Sequence, residues 1–196
     1  LKSSAWQIST ANGSLTRMKS FDPATGKTSW VEQKKIASTD SDYSVRGKLE
    51  GTDNPFGSED DLILVQTWDR EFNHFGDNPA TAGTVETTFD LRKQKSKAYQ
   101  VSTADGTLTR MKSYDSTALL DEAKVSWVEQ VKATTTEDAT YRPQLTNGDA
   151  TTWKASDSIF HVRTSSVDFS VATVFTTSLK SSAWQISTAN GSLTRM

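Results

Sequence analysis

The chain contains no cysteine, which excludes disulfides and thiolate metal sites. Secreted eukaryotic domains of this size often carry disulfides, so the absence favours a microbial surface protein or an intracellular one. Long apolar runs are missing too. The longest purely aliphatic stretch is LILV at Leu62–Val65, far short of the roughly 18 residues that cross a bilayer, and no membrane insertion is expected. Basic blocks are absent: 22 Lys and Arg are interspersed with 24 Asp and Glu for a net charge of −2. Such a surface has nothing with which to neutralise a run of phosphates, so nucleic acid is not an expected partner.

Apolar residues are scarce at 34%, while Ser and Thr fill 53 positions. Thr suits the half-buried pleated surface of a sheet, and Ser suits turns and wet faces. Six Trp, eight Phe and four Tyr remain to build a thin core, so a folded chain is expected.

What the sequence has in abundance is itself. Leu179–Met196 repeats Leu1–Met18 letter for letter, both reading LKSSAWQISTANGSLTRM. A looser copy, KSKAYQVSTADGTLTRMKSYD, occupies Lys95–Asp115. The period from Leu1 to Leu179 is 178 residues, and each period holds two related halves. SWVEQ at Ser29–Gln33 recurs at Ser126–Gln130; Phe56 falls opposite Trp153, Leu62–Val65 opposite Ile159–Val162, and Phe72 opposite Phe169, all at an offset of 97. The opening motif lies at an offset of 93, so the second half gains four residues within STALLDEAKV. These features divide the chain into β-domains at 1–92 and 93–178, with 179–196 beginning the next repeat. Halves of this size bury only about two thirds of their unfolded surface, so packing onto a neighbour matters to each.

The repeated motif reads as a hairpin. Trp6, Ile8 and Thr10 alternate with polar residues, Asn12-Gly13 turns the chain, and Leu15, Arg17 and Lys19 return. Asn-Gly predicts a type I′ turn with positive φ at both central residues. The pairing that follows sets Thr10 opposite Leu15, Ile8 opposite Arg17 and Trp6 opposite Lys19, with a guanidinium over the indole. The middle copy keeps the set as Tyr99, Val101, Leu108, Arg110 and Lys112, around Asp105-Gly106. Further strands are expected at Ser29–Ala37, Leu62–Phe72, Val85–Leu91, Val125–Ala133, Ser158–Ser165 and Val167–Thr177. Only Ser116–Lys124 has helical composition. Short strands with turn residues between them predict an all-β fold of two related β-sandwich-like domains, whose terminal hairpin belongs to the next repeat.

Chemistry-bearing candidates are few. The two histidines are His74, in a polar loop, and His161, which falls opposite Leu64 and so reads as a packing position. No GxSxG is present, and no enzyme activity is expected. The loop Gly51–Asp61 offers Asp53, Glu59, Asp60 and Asp61 as hard oxygen ligands for calcium, without the spacing of an EF-hand. No cofactor is expected. Asn12-Gly13-Ser14 and Asn190-Gly191-Ser192 are N-x-S sequons.

Taken together, these features suggest a self-assembling structural protein, the building block of an extracellular or cell-surface filament, fibre or sheath. Its expected partner is itself, through adjacent repeats or separate copies. The assembly residues are Trp6, Ile8, Leu15 and Arg17, and their terminal equivalents Trp184, Ile186, Leu193 and Arg195. A strand from one unit would complete the sheet edge of another. The first alternative is an adhesin module that binds glycans or surfaces through exposed aromatics, with Trp68 as the best exposed and Phe75 and Trp153 behind it. The second is an intracellular shell or lattice protein.

Overall fold

A computed structural model of the chain describes residues 4–22, 26–68, 94–115, 121, 124–149, 152–188 and 194–195. The fold is all-β: an antiparallel sheet whose strands neighbour one another in chain order, with a few short helices. The strands are β1 (Ser4–Ser9), β2 (Leu15–Asp22), β3 (Lys27–Lys35), β4 (Ile63–Trp68), β5 (Gln94–Ser102), β6 (Leu108–Tyr114), β7 (Val125–Lys132), β8 (Ser158–Ser165), β9 (Leu179–Ser187) and β10 (Thr194–Arg195). The helices are α1 (Val45–Glu50), entered through a 3-10 turn at Ser41–Ser44, α2 (Thr135–Thr146) and α3 (Ala172–Thr177). The chain forms two compact units: Leu1–Arg46, Asp61–Gln100 and Lys112–Val125 in the first, and Gly47–Asp60, Val101–Met111 and Ser126–Met196 in the second.

In the first unit β1 and β2 pair in the register expected from the sequence, Trp6 opposite Lys19 and Ile8 opposite Arg17. The turn differs. Gly13 has a φ of +68°, but Asn12 does not enter the positive region, so the connection is not type I′. The Gly13 N–H donates to the Thr10 carbonyl, and Thr10 N–H to the Leu15 carbonyl, around a longer loop. Asn12 contributes its side chain, which accepts from the Ser14 N–H at 3.1 Å, so the asparagine turns the chain without positive φ. The cation on the indole also differs: Lys19 Nζ, not the Arg17 guanidinium, lies 5.5 Å from the Trp6 ring and 5.0 Å from Trp30. The core of this unit is made by cross-strand aromatic and aliphatic pairs, Trp30 opposite Trp68 and Leu64 opposite Tyr99, all four buried. Trp68 is therefore not the exposed platform expected from its alignment with a serine.

In the second unit β7, β8, β9 and β10 pair in order. Its core gathers Trp153, Ile159 and Ile186, with Ala133, Leu145 and Trp184 packed around them. Each such side chain removed from water contributes about 1.5–3 kcal/mol. Phe56 and Trp153 are both buried.

Helix α2 was not expected from the sequence. Its start is a capping box: the Thr134 hydroxyl accepts from the Glu137 N–H, and the Glu137 carboxylate accepts from the Thr134 N–H. It stops where Asn147 takes left-handed backbone at φ +51°. The strand expected over Val167–Thr177 is not formed. That segment turns at Asp168–Ser170 and coils into α3, because Phe169 and Phe175 pack against each other at 4.5 Å instead of alternating across a sheet. Of the remaining expectations, the strand at Val85–Leu91 and most of the helical segment Ser116–Lys124 lie outside the described residues.

Candidate functional site

The terminal copy of the repeated ribbon sits in a groove of the second unit, formed by β8 on one side and α2 above. β9 pairs along the whole of β8, with Ile186 opposite Ile159, Trp184 opposite His161 and Ala183 opposite Val162, and a bulge at Thr164/Ser165. Ile186 is fully buried. Trp184 lies between two rings: Tyr141 of α2 stacks at 4.0 Å and 15°, and His161 of β8 at 4.4 Å and 6°. His161 Nε2 also shares a hydrogen bond of 2.7 Å with the Ser182 hydroxyl. Ser165, completely buried, donates to the Ser178 carbonyl at the entry to β9.

Arg142 fixes α2 over this groove. It forms a fork with Asp138 at 2.6 and 2.7 Å and donates to the Lys154 and Asp157 carbonyls before β8. The hydrogen bond to Asp138 raises the Arg142 pKa, and the same bond holds Asp138 below the usual carboxylate range. Burial pushes His161 down, and the neighbouring Arg163 adds to it against the opposing pull of Glu137 and Glu129. The imidazole lies as a flat face against the indole.

The three ribbon copies share residues but not surroundings. Trp6 is 53% exposed on β1, the first strand in the sheet order, whereas Tyr99 is 2% exposed and donates to Asp42 at 2.5 Å. Ile8 is part-buried; Val101 and Ile186 are fully buried. Leu15 is part-buried as well. Arg17 is buried and committed within its own chain, donating from Nε to Glu32 at 2.9 Å. Arg110 makes the matching contact to Glu129 at 3.0 Å. Arg195 is in β10, opposite Ile186; Leu193 and Asn190 lie outside the described residues. Asn12 is exposed at its hairpin tip.

A second constellation was not anticipated. Arg110 grips Asp53 with both terminal nitrogens (2.8 and 2.7 Å), donates to the Leu49 and Glu50 carbonyls at the end of α1, and shares Glu129 with Arg163. Phe169 covers the Arg110 guanidinium at 4.5 Å, and a cavity of about 300 Å³ adjoins these groups. Burial works against the Arg110 charge, but its bonds to Asp53 and Glu129 outweigh that and raise its pKa; in return Arg110 lowers the pKa of Asp53. The charges cancel in pairs, which suits structure better than anion capture. The sequence signal was available: Arg17, Arg110 and Glu32, Glu129 recur at matched positions.

The four acidic candidates do not converge. Asp53 is held by Arg110; Asp61 pairs with Lys35 at 2.6 Å; Asp60 is buried and accepts from the Gly57 N–H; Glu59 is exposed beside Ser58. Among the described residues no three His, Cys, Asp or Glu side chains are grouped to hold a metal, and no helix is long and apolar enough to cross a membrane. Of the aromatic candidates for ligand stacking, Trp68 and Trp153 are buried, and Phe75, with His74, lies outside the described residues. Comparison with protein-family models, curated proteins and solved structures finds no match to this chain.

Proposed function

We propose that the chain is a structural unit of a self-assembling β-protein, a filament, fibre or sheath at the cell surface in which successive periods join by strand pairing. The observation that carries this reading is the position of Leu179–Ser187. This segment, identical to Leu1–Ser9, supplies a whole strand and a core isoleucine to the second unit. In a longer array the same residues would open the following period, so one ribbon would finish one sheet and start the next.

Two related halves at 1–92 and 93–178, each sandwich-like in plan, remain part of the proposal. The matched ion pairs Arg17–Glu32 and Arg110–Glu129 support it. So do the matched turns in which Asp60 accepts from Gly57 N–H and Asp157 from Lys154 N–H. No catalytic role is proposed for the Ser182–His161 contact. The first half places Leu64 opposite Tyr99 where the second places His161 opposite Trp184, so the position serves packing.

The adhesin reading keeps one foothold, a largely apolar cavity of about 460 Å³ beside α2, bordered by Ala139, Arg142, Pro143, Trp153 and Lys154. A polypeptide of two full periods discriminates. The array reading expects a rod by small-angle scattering and negative-stain microscopy, with length growing in proportion to the number of periods, and a higher melting temperature than one period. Two periods that tumble as independent, unassociated bodies would overturn it, and hits on a glycan array would favour the adhesin.

A further inference from the structure

We infer that the groove between β8 and α2 is a strand-exchange site, and that its partner is the N-terminal ribbon of a second copy of this chain. The inference extends the array reading from periods joined in one polypeptide to copies joined head to tail.

The argument begins with equivalence. Every side chain that the groove recognises in β9 exists in Leu1–Ser9: Trp6 for Trp184, Ile8 for Ile186, Ala5 for Ala183, Ser4 for Ser182. The hairpin that presents them is also the same. Ser9 pairs with Thr16 and Ile8 with Arg17, as Ser187 pairs with Thr194 and Ile186 with Arg195. Nothing in the groove distinguishes the two segments.

The second step is vacancy. Among the described residues β1 has β2 as its one strand neighbour, and no strand of these residues pairs with its other edge. Trp6 stands more than half exposed, where the buried Tyr99 and the stacked Trp184 mark what this position does when its strand is flanked on both sides. The register of the exchanged pair follows from β9: Ile8 opposite Ile159, Trp6 opposite His161 and beneath Tyr141, Ala5 opposite Val162.

The third step is energetic. Exchange leaves the β8 ladder intact in kind, and the incoming β1 is already held by a six-pair ladder to β2. A preformed strand loses less conformational freedom on docking than a loosely held one. Against this stands the tether of β9, whose effective concentration is of the order of millimolar. Weakening β9 should therefore release the exchange.

The natural absence of cysteine makes the test clean. Full-length chains carrying Ala5→Cys with Val162→Cys are oxidised mildly and run without reductant, with Trp184→Ser added in a parallel sample. Gln7→Cys with Val162→Cys, two residues out of register, serves as control. Expected is a ladder of dimers and higher oligomers from the in-register pair alone, increased at least about tenfold by Trp184→Ser, consistent with the loss of a little over 1.4 kcal/mol from the tethered competitor. The in-register pair is scored in the native β9 background as well, so a misfolded Trp184 variant does not decide the result. Absence of the ladder in both backgrounds, or equal ladders from both cysteine pairs, overturns the inference. The two outcomes separate: a rod from tandem periods without a ladder leaves the array reading and removes exchange between copies. A ladder without a rod does the reverse.

Discussion

Tyr141 and Trp184 stack face to face, 4.0 Å between ring centroids and 15° from parallel, joining α2 to a strand whose sequence recurs at Leu1–Ser9. The same tryptophan in two settings gives an internal control. Trp184→Ser should destabilise by about 2–4 kcal/mol, from lost burial and ring stacking together. Trp6→Ser should cost under about 1 kcal/mol, since Trp6 is already mostly in water. Urea unfolding of the two variants checks it; equal losses would mean that the seating of β9 is unimportant to the fold.

Ile186→Ala should cost about 2–5 kcal/mol, because the side chain is completely buried between Trp153 and Ile159 and its removal leaves a cavity. Ile8→Ala, at the identical position of the first ribbon, should cost less than half of that in the same measurement. If the two isoleucines prove equivalent, the second ribbon is not the better packed one.

His161 makes stability depend on pH near neutrality. Its folded pKa is lowered, first by burial and then by Arg163 on the same strand, with Glu137 of α2 and Glu129 of β7 opposing. A depressed folded pKa means that the unfolded chain binds the proton more readily. The contribution is complete above the ordinary value of about 6.5 and is lost as pH falls toward the folded pKa. Melting temperature should therefore drop as pH falls below about 6.5. His161→Leu, which installs the residue found at the matching position of the first half, should flatten that slope. An unchanged slope in the variant would assign it to other groups.

How much of this was legible in the sequence varies residue by residue. Asn12-Gly13 and Asp105-Gly106 announced the hairpins, and alternation announced β3, β7 and β8, because turn chemistry and period-two patterning act locally. The ladder Trp6–Lys19, Ile8–Arg17 followed from loop placement alone. Trp68 was misjudged for a tertiary reason. Its counterpart Ser165 suggested a wet position, but Ser165 is itself fully buried and satisfied by the Ser178 carbonyl. A small polar residue in one copy is thus no sign of exposure in the other. Val167–Thr177 alternates like a strand, yet Phe169 and Phe175 are drawn together over Arg110 and Arg163, a demand set by distant residues. Helix α2 carried a readable signal, Thr134 and Glu137 at capping-box spacing, masked by a run of β-branched threonines and by Pro143.

The buried cluster around Arg110 should respond unequally to loss of its partners. Glu129→Gln removes a buried carboxylate shared by Arg110 and Arg163 and should cost about 3–5 kcal/mol. Asp53→Asn should cost under about 1 kcal/mol, since that carboxylate is half exposed and screened by water. Asp53 has a lowered folded pKa, caused first by its bonds to Arg110, so its contribution is present above about pH 4 and is lost as acid protonates it. Acid titration monitored by circular dichroism should show a smaller loss of stability below pH about 4 in Asp53→Asn than in the native chain.

Gly51 and Gly106 separate backbone strain from crowding. Both occupy left-handed backbone, at φ +69° and +68°. A β-carbon at Gly106 would meet nothing within 4 Å, so Gly106→Ala should cost only the conformational penalty, about 1–2 kcal/mol. At Gly51 the added carbon would lie 2.5 Å from the Phe169 carbonyl oxygen and 2.9 Å from its Cβ. Neither atom is the free end of a flexible side chain. Phe169 is held over Arg110 and against Phe175, so the overlap must be relieved by moving backbone, adding roughly 1–3 kcal/mol to the same penalty. Equilibrium unfolding of the two alanine variants should therefore rank Gly51→Ala clearly below Gly106→Ala. Equal stabilities would mean that Phe169 is loosely seated and that the cover over the Arg110 cluster is not a fixed part of the fold.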